Sequence, residues 1–210
     1  FTVAAGGILM LLLMICLSFE NRSKTILLNM AMAVSGFSLL SAEVVIIYSY
    51  QVLFGNLYYK IAWIISSLMI GMACGTWLAM KYLHRIKLAA IVKIHMAEVL
   101  YFILFANMLV FDRFQTEIFF LIAAGLIGAI VGFEFPALNR LLFTQTKDRT
   151  SQTGIIYAAD LLGSSLGAVL ISVLSIPIYG IFKTLILLAG LNFAVGLLLL
   201  FGKDLSSKDV

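Results

Sequence analysis

Four carboxylates and a histidine interrupt long apolar runs: Glu43, His95, Glu98, Glu134 and Asp160. A carboxylate at the centre of a hydrocarbon layer costs about 2.5–3.5 kcal/mol on insertion scales, so each should face protein or water, and such groups commonly mark an ion, proton or substrate route. His95 and Glu98 lie at i and i+3, which puts them on one helix face, where a buried pair can hold or pass a proton. Counted at ~1.5 Å per residue from the ends of their apolar runs, Asp160 and Glu134 fall in the inner third of a membrane, His95 and Glu98 near the middle and Glu43 in the outer third. Acids at graded depths predict a polar pathway. The competing reading makes each acid interhelical glue, protonated or paired, with Lys93 and Arg140 as partners for Glu98 or Asp160 and for Glu134.

Other chemistry finds no residues to carry it. The sequence has no Gly-x-Gly-x-x-Gly, Walker loop, serine nucleophile elbow or His-Glu-x-x-His zinc helix, so it assigns no catalytic residue, no metal ligand and no cofactor to this segment. His84, in the basic stretch KYLHRIK, reads as solvated or lipid-facing, which leaves His95 as the deep histidine and too few ligands for bis-histidine haem. Cys16 and Cys74 sit in apolar runs and read as small packing residues rather than a disulfide or metal pair.

The elements that position these groups follow from composition. Of 210 residues, 63% are hydrophobic and 11% charged, and the mean hydropathy is +1.11. Those values predict an all-α, polytopic transmembrane helix bundle, one domain from 1 to 210 whose main partner is the lipid bilayer. Seven spans are expected at about 1–19, 25–49, 60–82, 88–111, 117–142, 154–178 and 181–202. The connections are short, the longest being TQTKDRTSQTG at 144–154, so sequential neighbours are expected to pack antiparallel. Phe1, with no basic segment before the first apolar run, suggests a start inside a longer gene product.

Alternating the loops gathers Arg22, Lys24, Lys81, Arg85, Lys87, Lys93, Arg140, Lys147, Arg149, Lys203 and Lys208 on one side, against Lys60, Arg113 and Lys183 on the other. The basic side should be cytoplasmic, with the N-terminus outside and the C-terminus inside. The net charge of +4 then reflects topology and anionic lipid head groups, with no nucleic-acid surface implied. This topology also puts the Asn21-Arg22-Ser23 sequon on the wrong side for glycosylation. Trp63 with Tyr48, Tyr50, Tyr58 and Tyr59 reads as an interfacial aromatic belt.

The stretch 154–178 carries Asp160 together with Ala159, Gly163 and Gly167, a small-residue ridge that predicts a helix central to the bundle. Further close-approach pairs are Gly71 with Gly75 and Gly128 with Gly132, so three helices are expected to form one tight core. The same faces leave a homo-oligomer open. Pro136 and Pro177 are expected near helix ends.

One ordered set of residues resembles a known family. Ser35-Gly36, Glu43, Phe54-Gly55, Gly71-Met-Ala-Cys-Gly75, Gly132-Phe-Glu134-Phe-Pro136, Tyr157-Ala-Ala-Asp160-Leu-Leu-Gly163-Ser-Ser-Leu-Gly167, Ile176-Pro177-Ile-Tyr-Gly180 and Asn192 resemble the integral-membrane domain of bacterial polyamine aminopropyltransferase (spermidine synthase)-like proteins. That resemblance implies an inner-membrane domain attached to a cytosolic synthase domain that uses decarboxylated S-adenosylmethionine. The soluble domain's glycine-rich loop and catalytic aspartates are not among these residues, so the cofactor belongs to this protein only if such a domain is attached.

Three functions are therefore expected in order. The first is a non-catalytic membrane domain that anchors a synthase and binds or passes a cationic amine or a proton along Glu43, His95, Glu98, Glu134 and Asp160. The second is a secondary transporter for a cationic solute, since six spans with a basic loop after Gly75 are similar to a major-facilitator half-bundle. The third is a quinone-binding membrane subunit of a redox complex, with His95 and Glu98 taking the quinol proton.

Overall fold

A computed structural model describes residues 24–55, 58–110, 116–143 and 149–204. It contains α1 (Lys24–Phe54), α2 (Tyr58–Tyr82) ending in a 3-10 turn at Leu83–Arg85, α3 (Leu88–Val110), α4 (Glu117–Phe143), α5 (Arg149–Leu170), a π turn at Ile171–Ser175 and α6 (Ile176–Asp204). No strand occurs among the described residues. Among the described residues, five helical stretches are long and apolar enough to cross a membrane, with Thr150–Leu200 counting as one of 51 residues. Helix is the form an apolar layer selects, because every backbone N–H and C=O is satisfied within the segment. The expected span 1–19 and its Cys16, the Asn21 sequon, Arg22, Arg113, Lys147 and Lys208 lie outside the described residues.

Several boundaries differ from the expected ones for local reasons. α5 begins at Arg149, inside the stretch expected to be loop, and buried Gln152 donates its amide to Asn29 Oδ1 on α1 at 3.3 Å. A tertiary hydrogen bond thus holds a polar turn helical. Pro136 lies within α4. Pro177 instead follows the π turn at Ile171–Ser175; it has no N–H to give and its ring crowds the preceding turn, so the ladder shifts to wider spacing. Gly180 breaks α6 with φ 76° and ψ 172°, a backbone conformation open essentially to glycine alone. Thr184 donates to the Gly180 carbonyl at 2.8 Å and meets Ser175 Oγ at 2.9 Å, which satisfies part of the break.

Sequential neighbours are not the principal pairs, contrary to expectation. The closest packing joins α2 with α4, α1 with α5, and α3 with α6. Along α2 and α4 the contacts advance together, from Lys60 with Glu117, through Ser67 Oγ on the Leu121 carbonyl at 2.7 Å, to Thr76 Oγ1 on the Gly132 carbonyl at 2.9 Å, so these two helices run parallel. Glycine permits the approach. A Cβ on Gly71, Gly75, Gly128 or Gly132 would strike the backbone of Gly125, Ala129, Leu68 or Met72. Gly163 and Gly167 seat α5 in the same way on Ala33 and Phe37 of α1. The glycine faces therefore form two separate pairs within the chain, not one three-helix core.

The central helix is α1, not the stretch 154–178. α1 packs on α4, α5 and α6, whereas Ile155, Tyr157, Leu162, Leu166 and Val169 of α5 are exposed. The small ridge of α5 serves one neighbour and its other faces point outward.

Buried apolar residues form two clusters. Toward the Tyr50 end one gathers Leu39, Val45, Phe102, Phe105, Phe120, Val131 and Leu188 among others, with Tyr50, Phe54, Phe105, Phe119 and Phe120 in edge or stacked ring contact. Tyr50 is buried in this cluster, while Tyr48, Tyr58, Tyr59 and Trp63 are exposed as a belt requires. The other cluster holds Leu28, Met32, Ile91, Ile94, Leu138, Ile156, Val195 and Leu199. Helix termini alternate between these two ends, so successive described helices run in opposite directions between them.

Candidate functional site

Between the two apolar clusters lies a polar layer, and each of four helices places its polar residues in that gap. α1 sets Ser35 and Ser38 between Met32 and Leu39, and α3 sets His95 and Glu98 between Ile94 and Tyr101. α4 sets Glu134 between Val131 and Ala137, and α6 sets Asn192 between Ala189 and Val195. All six side chains are buried, at 0% exposure. An apolar seal on both sides makes each unmet polar atom costly.

His95 is the hub. Its Nδ1 lies 3.1 Å from Asn192 Oδ1 and 3.4 Å from Glu98 Oε2, and its Nε2 lies 3.4 Å from Glu134 Oε1. Ser35 Oγ bridges the two acids, donating to Glu134 Oε2 at 2.7 Å with Glu98 Oε1 at 3.4 Å. Asn192 Nδ2 donates to Ser38 Oγ at 2.7 Å and to the Leu188 carbonyl at 3.0 Å, which fixes the orientation of its amide. One ligand atom each from His95, Glu98 and Glu134 can be chosen so that all lie within 4.8 Å of one another, a set able to hold a metal ion.

The five residues named from sequence thus divide. His95, Glu98 and Glu134 meet at one level, although Glu134 was expected nearer the inner face than the other two. At ~1.5 Å per residue from that face, Glu134 lies about 12 Å deep, between His95 at about 10.5 Å and Glu98 at about 15 Å, so dividing the spans into thirds separated groups that the count itself puts level. Asp160 is half-buried and packs on Gly36, next to Ser35, where a Cβ would strike its carboxylate and Ser164 Oγ. It borders the cluster from behind α1. Glu43 is half-buried two turns further along α1, within the stretch that carries the Tyr50-end cluster, and stands apart.

The expected basic partners are elsewhere. Lys93 is exposed on α3, and Arg140 donates to the His84 carbonyl at 2.8 Å. Sequence reading did not assign Ser35, Ser38 or Asn192 to the site. A signal was present: each is a hydrogen-bonding residue inside an apolar run at about the depth of His95. The sequence names no metal ligand, and the three residues that could hold an ion come from two helices with no spacing motif between them.

No family model, no curated protein and no solved structure matches the chain. What the fold and site define is a class: an all-helical protein with several helices long and apolar enough to cross a membrane, enclosing a buried His–Glu–Glu cluster.

Proposed function

We propose that this chain is an integral-membrane domain, of the kind carried by spermidine synthase-like proteins, whose interior retains or passes a compact cation at His95, Glu98 and Glu134. The observation that carries this reading is a fully buried histidine with a carboxylate 3.4 Å from each ring nitrogen, sealed between apolar clusters. Two buried acids demand positive charge close by; Lys93 and Arg140 lie elsewhere, which leaves a proton on His95 or an added cation to supply it. An enclosed node of three side chains suits a proton or a single metal ion better than an extended polyamine, which would require acids strung along a channel.

Some residues of the resemblance fall at this site. Ser35, Glu134 and Asn192 belong to the ordered set and meet around His95, while Gly36, Gly163 and Gly167 seat α5 beside it. On this reading the domain also anchors a cytosolic synthase in the bacterial inner membrane. Thr150–Leu200 would measure roughly 75 Å as one helix against a ~30 Å layer, so we read the Gly180 break as dividing two crossings. Lys81, Arg85, Lys87 and Arg140 fall at the end where α1, α3 and α5 begin, and Lys60 and Lys183 at the other, which supports a cytoplasmic placement of the former.

The test is a stability panel on the purified chain. Thermal unfolding is followed with changing pH, with divalent metal ions and with spermidine, for the natural sequence and for Glu98→Gln/Glu134→Gln, which keeps size and removes both charges. A cation-dependent shift confined to the natural sequence is expected; equal responses in both proteins refute a cation site here.

A further inference from the structure

We infer that the cation taken by this site is a divalent transition-metal ion, held by His95 Nε2 and by one oxygen each of Glu98 and Glu134; the inference rests on the cation-holding reading above. The imidazole comes first. Because Asn192 Nδ2 is committed to the Leu188 carbonyl and Ser38 Oγ, its Oδ1 is turned to His95 Nδ1 at 3.1 Å. Nδ1 therefore carries a proton, and in the neutral ring the lone pair falls on Nε2, the usual arrangement of a metal-ligating histidine whose other nitrogen donates to a carbonyl oxygen.

That lone pair faces another acceptor. Glu134 Oε1 lies 3.4 Å from Nε2, and Ser35 has given its single hydroxyl proton to Glu134 Oε2 at 2.7 Å. His95 Nε2, Glu98 Oε2 and Glu134 Oε1 are thus left without a hydrogen-bond partner, in side chains at 0% exposure. Three orphaned buried acceptors within one apolar seal, on side chains whose ligand atoms can be chosen within 4.8 Å of one another, need something positive among them.

Distance and charge choose a metal over a proton. A charge-assisted N–H···O bond closes to about 2.7–2.9 Å, whereas the edge of a tetrahedron with metal–ligand bonds of about 2.0–2.1 Å is about 3.3–3.4 Å. The 3.4 Å between His95 Nε2 and Glu134 Oε1 is longer than such a hydrogen bond and leaves room for an ion bound to both atoms. With both carboxylates ionised and the imidazole neutral, the node carries minus two, which one divalent ion brings to zero within the apolar seal and one proton leaves negative. Nitrogen plus two carboxylate oxygens suits zinc, manganese, iron or cobalt, while calcium and magnesium favour all-oxygen sets. Three protein ligands would leave an open position for water or substrate.

The experiment uses the full chain in detergent, stripped with a chelator and titrated with zinc by calorimetry and with cobalt by visible absorption. The natural sequence is expected to take up stoichiometric zinc, and the cobalt form to show the intense d–d bands of a low-coordinate site. Glu134→Gln should abolish both. Asn192→Leu, which frees the imidazole without removing a ligand, should weaken zinc by about 10- to 100-fold. Glu117→Gln, far from the node, should bind as the natural sequence does. Far-ultraviolet circular dichroism checks that each variant is folded; should Glu134→Gln not fold, Asn192→Leu carries the comparison.

Absence of zinc and cobalt uptake by the natural sequence, or equal uptake by all variants, overturns the metal assignment. If metals fail while pH or spermidine still shifts the unfolding of the natural sequence and not of Glu98→Gln/Glu134→Gln, the metal is wrong and the cation site stands. If nothing shifts, both fall.

Discussion

His95 Nε2 and Glu134 Oε1 face each other at 3.4 Å across two helices, and both residues are wholly buried. The relationship exists because α3 and α4 each place a polar residue in the gap between the same two apolar clusters, so folding the greasy parts correctly forces the polar parts together. Serine and asparagine from α1 and α6 then fill the remaining hydrogen-bonding directions.

Ser35 should matter more than its size suggests. Replacing it with alanine leaves Glu134 Oε2 buried without a donor, which is expected to cost about 1–3 kcal/mol. Thermal unfolding of Ser35→Ala beside Glu134→Gln and the double variant gives the coupling directly. Additive losses would show that the two side chains do not act together.

Glycine substitutions should sort by what a Cβ would meet. Gly75→Ala and Gly132→Ala press on the backbones of Ala129 and Met72, so each is expected to destabilise by about 1–3 kcal/mol. Gly154 and Gly190 have open space around them within their helices, and alanine there should be neutral or stabilise by up to about 1 kcal/mol. Melting temperatures of the four single variants provide the comparison, and a uniform response would contradict the parallel α2–α4 contact.

At Gly180 the cause is conformational, since no neighbouring atom crowds the position. With φ 76° and ψ 172°, an alanine should cost about 1–3 kcal/mol through backbone strain alone. Gly180→Ala should therefore fold less stably than Gly190→Ala in the same helix, and equal melting temperatures would argue against the break.

Topology makes a labelling prediction. In a background with Cys16 and Cys74 replaced by serine, a cysteine at Tyr58 should react with a membrane-impermeant maleimide in intact cells. One at Lys87 should react only after permeabilisation; both positions are exposed and sit at opposite ends of α2 and its turn. The reverse pattern would invert the orientation inferred from the basic residues.

The amino-acid sequence by itself determined the helical, apolar character of the described chain, because runs of about 20 apolar residues in lipid have to satisfy their backbone polar groups internally. It also picked out His95, Glu98 and Glu134, since ionisable side chains in such runs stand out by type alone. Only the tertiary structure decided which helices those residues join. Gly71 with Gly75 announces that some backbone comes close without saying that it is Gly125 and Ala129 of α4, and Asp160 with Gly163 gave no sign that α5 lies at the edge. Pairing depends on side-chain shape summed over whole helix faces, a long-range property with no local spacing to read. For the same reason Ser35 and Asn192 became site residues only when four helices set their polar positions at one depth.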